Sequence, residues 1–264
     1  DYYLDYYLDY YLDYYLDYYL DYIFSEDYME YYKHKYLYGH LYFINKSDAK
    51  FFFFNKKKKK LSPTYQEYIN DTLKIYYKPN TNILDIGSNI GIFSLSFAKL
   101  APECKIHSFE PVSITNKLLN KTIETNNINN VEIYNYGLGD KNEEVIINID
   151  PNRLGSSSIK QNLKKNTEKI LIKRLDDINI ENISFIKVDI QEYEYEFLLG
   201  AKETLKNNNI VLILEIPTRN NYEIDIHNRC DKFLNSLNYI KYKKIGSKDW
   251  LFIKKNKFII LSKI

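Results

Sequence analysis

Cysteine is almost missing from this chain: 264 residues hold only Cys104 and Cys230, and no C-x-x-C pair. That scarcity fits a reducing compartment and excludes a structural zinc site. The four histidines, at positions 34, 40, 107 and 227, have no metal-ligand spacing, so no metal is expected. His107 is expected to point off a strand beneath a helix, and His227 to sit on a helix surface, with a place facing the acceptor as its second reading. No apolar run approaches the roughly 18 residues that a membrane-spanning helix needs, and the first residues lack the basic flank and apolar core of a signal peptide. The expectation is a soluble, cytoplasmic protein with no membrane partner. The chain opens on Asp1 rather than Met, which is consistent with a segment removed or left out. A strong charge of either sign is missing too: 37 basic and 35 acidic residues leave a net charge of +2. Without a clear basic stripe, no duplex nucleic acid partner is expected.

That near-neutrality hides an uneven distribution. Residues 1 to 22 carry six Asp and no base, whereas residues 23 to 60 carry nine Lys against four acids. The first segment repeats Asp-Tyr-Tyr-Leu five times without error through Leu20, and Asp21-Tyr22 begins a sixth copy. As a helix, a period of four drifts its Leu stripe by about 40° per copy, and as a strand it splits Leu and one Tyr between faces. The pattern favours neither form, so the tail reads as disordered or loosely helical, with self-association through its tyrosines as the sharper alternative. Residues 23 to 60 read as an aromatic, Lys-rich linker or cap with one or two strands. Lys56 to Lys60 reads as a solvated linker ahead of a phosphate-binding patch.

Residues 61 to 264 read as one catalytic domain. Ser62-Pro63 supplies an N-cap and first-turn proline for a helix through about Ile75. Strands are then expected at about 82–86, 105–110, 131–136, 184–189 and 209–216, alternating with helices at about 90–100, 113–126, 192–206 and 222–237. Residues 145–149 and 169–175 read as an inserted hairpin or edge pair, and 238–244 and 250–262 as closing antiparallel strands. The fold class is α/β: a Rossmann-like, doubly wound, mostly parallel sheet with an antiparallel closing strand, behind a low-complexity N-terminal extension.

The run Asn82-Ile83-Leu84-Asp85-Ile86-Gly87-Ser88-Asn89-Ile90-Gly91 is an apolar strand entering a glycine turn that opens a helix. Gly87 and Gly91 allow the backbone to turn sharply and a ligand to approach its N–H groups. Asp85 and Asn89 offer polar atoms beside them, with Ser88 between. Glu110 ends the next strand 19 residues after Gly91, placed to accept the hydroxyls of a ribose. Dinucleotide sites read G-x-G-x-x-G, whereas the spacing here is Gly87-x-x-x-Gly91. This D-x-G-x-N-x-G loop resembles the S-adenosylmethionine site of class I methyltransferases.

Further along, the resemblance narrows to the FkbM-type methyltransferases over about residues 61 to 216. It is carried by Asp85 to Gly91, Phe109-Glu110-Pro111, Asn126 with Val131, Ile186-Lys187-Val188-Asp189-Ile190-Gln191-Glu192-Tyr193-Glu194, Leu199-Gly200-Ala201 and Leu214-Glu215. The family pattern in the fourth block is I-K-x-D-x-(E/Q)-G-x-E, and Glu192 stands where a glycine is expected. That departure bears on backbone geometry and acceptor fit more than on cofactor binding. The Ile-, Asn-, Lys- and Tyr-rich composition is similar to that of proteins from AT-rich genomes such as large DNA viruses.

The resemblance implies S-adenosylmethionine as cofactor and a small hydroxylated acceptor such as a sugar or glycan. For a hydroxyl acceptor, Asp189, Glu194 and Glu215 are candidate bases, and Lys187 is placed to hold an acceptor oxygen or carboxylate. Glu194 also reads as a first-turn helix residue and Asp189 as a helix cap. Asp140 resembles the residue that approaches the adenine amine in related enzymes, and also reads as a turn residue. The absence of Asp/Asn-Pro-Pro-Tyr/Phe weakens methylation of base amines. Two alternatives stay open: a catalytically impaired cofactor-binding interaction module, motivated by Glu192, and an RNA ribose 2′-O-methyltransferase built on Lys187, Asp189 and Glu215.

Overall fold

The computed structural model describes residues 21–24, 30–36, 38–43, 65–150, 154–159, 166–216, 218–245 and 248–255. The repeat copies through Leu20, the Phe51 to Lys60 run, the Ser62-Pro63 cap and the last part of the closing strand lie outside these residues. No helix among the described residues is long and apolar enough to cross a membrane.

Three elements open the chain as an antiparallel sheet: β1 (Asp21–Phe24), β2 (Glu30–Tyr36) and β3 (Gly39–Phe43). Helix α1 (Tyr65–Tyr76) then leads into β4 (Asn82–Ile86), α2 (Ile92–Leu100), β5 (Lys105–Phe109), α3 (Ser113–Thr125) and β6 (Val131–Tyr134). Next come β7 (Gly137–Leu138), β8 (Glu143–Asn148) and β9 (Thr167–Lys173), a small separate sheet in which β8 and β9 form the expected antiparallel pair. The main sheet resumes with β10 (Ile183–Val188), α4 (Glu194–Gly200), α5 (Lys202–Asn207), β11 (Val211–Glu215), α6 (Asn221–Ser236), β12 (Tyr239–Ile245) and β13 (Asp249–Lys254).

Its strand order is β12-β13-β11-β10-β4-β5-β6, parallel from β11 to β6, with β13 antiparallel to both neighbours. This is the expected doubly wound sheet with an antiparallel closing strand. The chain moves outward from β4 to β6 and returns on the other side at β10. The order therefore reverses between β4 and β10, where open α/β sheets leave a ligand crevice at the strands' carboxyl ends.

Strand alternation explains the two cores. Leu84, Ile86, Ile186, Val188, Leu212 and Leu214 face α4, α5 and α6, meeting Phe197, Leu205 and Leu234. Their neighbours Ile83, Phe185, Val211 and Ile213 face α1 and α2, meeting Ile69, Phe93 and Phe97. Both faces are covered, so the parallel strands read as continuous apolar runs. Each fully buried Leu, Ile or Phe contributes about 1.5–3 kcal/mol. Asp85 and Lys187 interrupt those runs on the α2 face.

The expected helix over 192–206 is broken. It divides at Ala201 (φ −111°), where the Gly139 carbonyl packs so close to Gly200 that a Cβ there would lie 1.8 Å from it. His107 is buried between neighbouring strands, bonding the Tyr134 hydroxyl at 2.9 Å and Asn82 Oδ1 at 3.0 Å, and burial lowers its pKa to about 4. His227 is a correction: it is buried rather than on the helix surface, because α6 packs on the β12–β13 hairpin. There Lys241 Nζ lies 2.9 Å from its Nε2 and the Trp250 ring centroid 5.2 Å from its own.

Candidate active site

The turn after β4 uses left-handed backbone at Gly87 (φ 76°), Asn89 (φ 51°) and Gly91 (φ 93°) before α2 begins. Gly87 has a second constraint, because a Cβ on it would lie 1.9 Å from the Asp189 carbonyl oxygen. The Gly87 and Ser88 N–H groups, in the turn whose main chain is expected to meet a ligand, both bond the Phe109 carbonyl at 3.0 Å. The Ser88 hydroxyl donates to the Asp85 carbonyl at 2.7 Å. The turn's donors thus hold its own shape.

Glu110 enters the same turn. Its carboxylate accepts the Asn89 N–H at 2.9 Å and the Val112 N–H at 3.0 Å, with only 7% of the residue exposed. Burial raises its pKa to about 7 against the opposing pull of those two bonds. Asn116 and Asn135, which sequence reasoning missed, both donate to the Glu110 carbonyl, at 3.1 and 3.0 Å. Asn89 Oδ1 is buried without a hydrogen-bond partner among the described residues. A buried acceptor beside a two-oxygen carboxylate suits a ligand that carries several hydroxyl and amino donors, so the residues present fit a nucleoside cofactor.

Beneath the turn lies a row of charges. Asp85 is fully buried, and its Oδ2 accepts the Ser94 hydroxyl at 2.6 Å; Ser94 in turn accepts the Ser108 hydroxyl at 2.8 Å. Burial raises the Asp85 pKa, and Lys187 opposes that shift. Lys187 Nζ lies 3.7 Å from Asp85 Oδ1, 3.7 Å from Asp189 Oδ2 and 4.6 Å from the Phe93 ring centroid. Ser94 and Ser108 were legible only as small polar residues in otherwise apolar elements.

Past β10, Gln191 (φ 52°) and Glu192 (φ 74°) are both left-handed. Glu192 therefore adopts a conformation that favours glycine, at the position where the family pattern has one. Gln191 Nε2 donates to Asp189 Oδ1 at 2.9 Å, while Asp189 N donates to the Ile86 carbonyl at 3.0 Å. Asp189 does not cap α4. Glu194, the first residue of that helix, accepts the Ile190 N–H at 3.2 Å and is buried. Glu215 ends β11 in an ion pair with Lys248. Beyond it Glu192, Glu194, Ile216, Glu223 and Ile226 line a cleft with no room for a water molecule, and Glu223 is bound by Arg219 at 2.7 Å. Asp140 follows Gly139 and sits by Gly200 and Tyr193, whose hydroxyl is raised to about 12 by burial first and by Asp140 second. No hydrogen bond ties Asp140 to the turn among the described residues.

A family model described as the methyltransferase FkbM domain matches residues 85–241. Methyltransferase 1 of Beauveria bassiana is 26% identical over 145 residues, covering 46% of this chain; the chain spans 58% of that relative's length. Methyltransferase FkbM of Methylobacillus flagellatus has TM-score 0.47 and 15% identity, covering 74% of this chain and 56% of that one. SMU.1697c of Streptococcus mutans, whose structure holds SAH, has TM-score 0.47 and 14% identity, with coverage of 73% and 97%.

Proposed function

The chain belongs to the FkbM methyltransferase family, whose cofactor is S-adenosylmethionine, and from that premise we propose that it methylates a hydroxyl on a sugar, glycan or other small acceptor. The carrying observation is the buried Glu110 carboxylate, fixed by the Asn89 and Val112 N–H groups at the end of β5, the strand next to the β4 edge of the crevice. In this reading Glu110 receives the ribose hydroxyls. Asn89 Oδ1 receives a donor from the amino-acid end, within the turn shaped by Gly87, Ser88 and Gly91, and Asp140 approaches the adenine.

Bound S-adenosylmethionine supplies a methyl group on a sulfonium whose positive charge disappears as the methyl is transferred. Such a displacement asks the protein mainly to align the reactants and exclude water. Asp189 is the base we assign: its side chain is 22% exposed, at the carboxyl end of β10, and it takes the acceptor's hydroxyl proton. Glu194 and Glu215 serve as acceptor-side carboxylates, Glu194 at the start of α4 and Glu215 at the neighbouring strand end.

Glu192 takes a left-handed conformation without breaking the turn that carries Asp189 and Glu194, which supports an active enzyme over an impaired module. The burial of Lys187 between two carboxylates weighs against the RNA ribose reading, which asks for an ammonium free to meet the acceptor. Calorimetric titration with S-adenosylmethionine, followed by methyl transfer to panels of glycans and RNA, tests the proposal. Transfer to a glycan hydroxyl is expected. Binding without turnover on any acceptor favours the impaired module, and absence of binding refutes the site.

A further inference from the structure

We infer that Lys187 is a positioning residue, whose ammonium sits between Asp85 under the glycine turn and Asp189 at the crevice and sets the Asp189 carboxylate relative to the cofactor. The inference rests on the site proposed above. Lys187 pairs in register with Asp85 across the parallel strands β10 and β4, so both side chains leave the sheet on the α2 face. There the ammonium lies over Phe93, with 2% of the residue exposed. A cation so placed cannot reach an acceptor as a free group; its field falls on the two carboxylates at 3.7 Å.

The two carboxylates differ. Asp85 is fully buried and anchored by Ser94, so it alone would compensate a buried lysine in a purely structural pair. Asp189 is partly exposed and stands at the crevice edge, where burial of the lysine does not need it. Its main chain is held by the Ile86 carbonyl, one oxygen by Gln191, and the other faces Lys187. The same residue presses its carbonyl on Gly87, so a shift of Asp189 is felt in the cofactor turn. One ammonium for two carboxylates leaves the excess negative charge on the rim, the position a proton acceptor needs.

Titrating the full chain with S-adenosylhomocysteine tests the inference. K187M is expected to weaken binding about tenfold and K187R to stay within about threefold of wild type, the range of coupling seen between contacting groups. D189N is expected to weaken binding about fivefold, and D189N/K187M to be no weaker than K187M alone, because the two residues act as one unit. Losses that multiply in the double variant, or K187R as weak as K187M, would overturn the inference. If K187M fails to fold, K187Q takes its place in the same cycle: losses that multiply in D189N/K187Q overturn the inference. A wild-type chain that does not bind S-adenosylhomocysteine removes the cofactor site and this inference together, whereas firm wild-type binding with K187M unchanged removes the inference alone.

Discussion

The two halves of the crevice are built from different materials. Along β4 and β5 the shape comes from main chain: left-handed residues, two N–H groups on the Phe109 carbonyl, and two more on Glu110. Along β10 and β11 it comes from carboxylates, each held by its own neighbour: Asp189 by Gln191 and Lys187, Glu194 by the Ile190 N–H, Glu215 by Lys248. A main-chain frame fixes one ligand shape, whereas side chains can be exchanged without disturbing the sheet. In the proposed reading the main-chain half holds the cofactor and the carboxylate half meets the acceptor.

The contrast is broken most severely by variants that act on one half only. Asp189→Asn is expected to lower turnover by about 10²–10⁴, the usual contribution of a positioned base, while cofactor affinity changes only severalfold. Comparable losses in both would erase the division. Gly87→Ala forces a Cβ into the Asp189 carbonyl at a positive φ, and should cost about 3 kcal/mol or more of stability in denaturant unfolding. A loss below about 1 kcal/mol would show that the frame yields.

Glu110→Ala should weaken S-adenosylmethionine binding by about 1–3 kcal/mol, the cost of losing a buried acceptor, with little change in acceptor KM. The pH dependence follows from the raised Glu110 pKa. The folded free protein holds this proton more tightly than the unfolded chain, so the group's stabilising contribution is full below 4.5 and is lost as pH rises through about 7. Ribose hydroxyls donate to the ionised carboxylate, so cofactor affinity should rise with pH through about 7. In Glu110→Gln that rise should vanish; its persistence would assign it to another group. The smallest effect is expected at Glu192→Gly, which relieves a left-handed non-glycine residue and should stabilise the fold by about 0.5–1 kcal/mol in thermal unfolding.

Legibility followed the same division. Asn82–Ile86 and Gly87 to Gly91 were readable because strand runs and glycine turns depend on local sequence, and Glu110 followed from spacing along the next strand. The reversal of strand order followed from alternating elements. What escaped the sequence depends on which side chain meets which across elements. Ser94 on α2 reaches Asp85 on β4, Asn135 after β6 reaches the Glu110 carbonyl, and the Gly139 carbonyl packs on Gly200 where α4 and α5 divide. His227 was misplaced for that reason: a polar helix suggested solvent, and only the hairpin of β12 and β13 buries it. The departure at Glu192 was visible, but its backbone conformation was not.

The first sheet bears on how this chain tolerates change. In β3, Leu41, Tyr42 and Phe43 are buried against Ile90, Ile92 and Leu118, and Asn126 exchanges hydrogen bonds with the His40 main chain at 2.8 and 2.7 Å. Strand β1, which pairs Asp21 with Lys33 and Tyr22 with Tyr32, starts inside the sixth, partial copy of the Asp-Tyr-Tyr-Leu repeat. Gaining or losing whole upstream copies therefore leaves the residues entering the sheet the same, in the same register. The repeat thus presents the same Asp-Tyr pair to the start of β1 whatever the number of copies written before it.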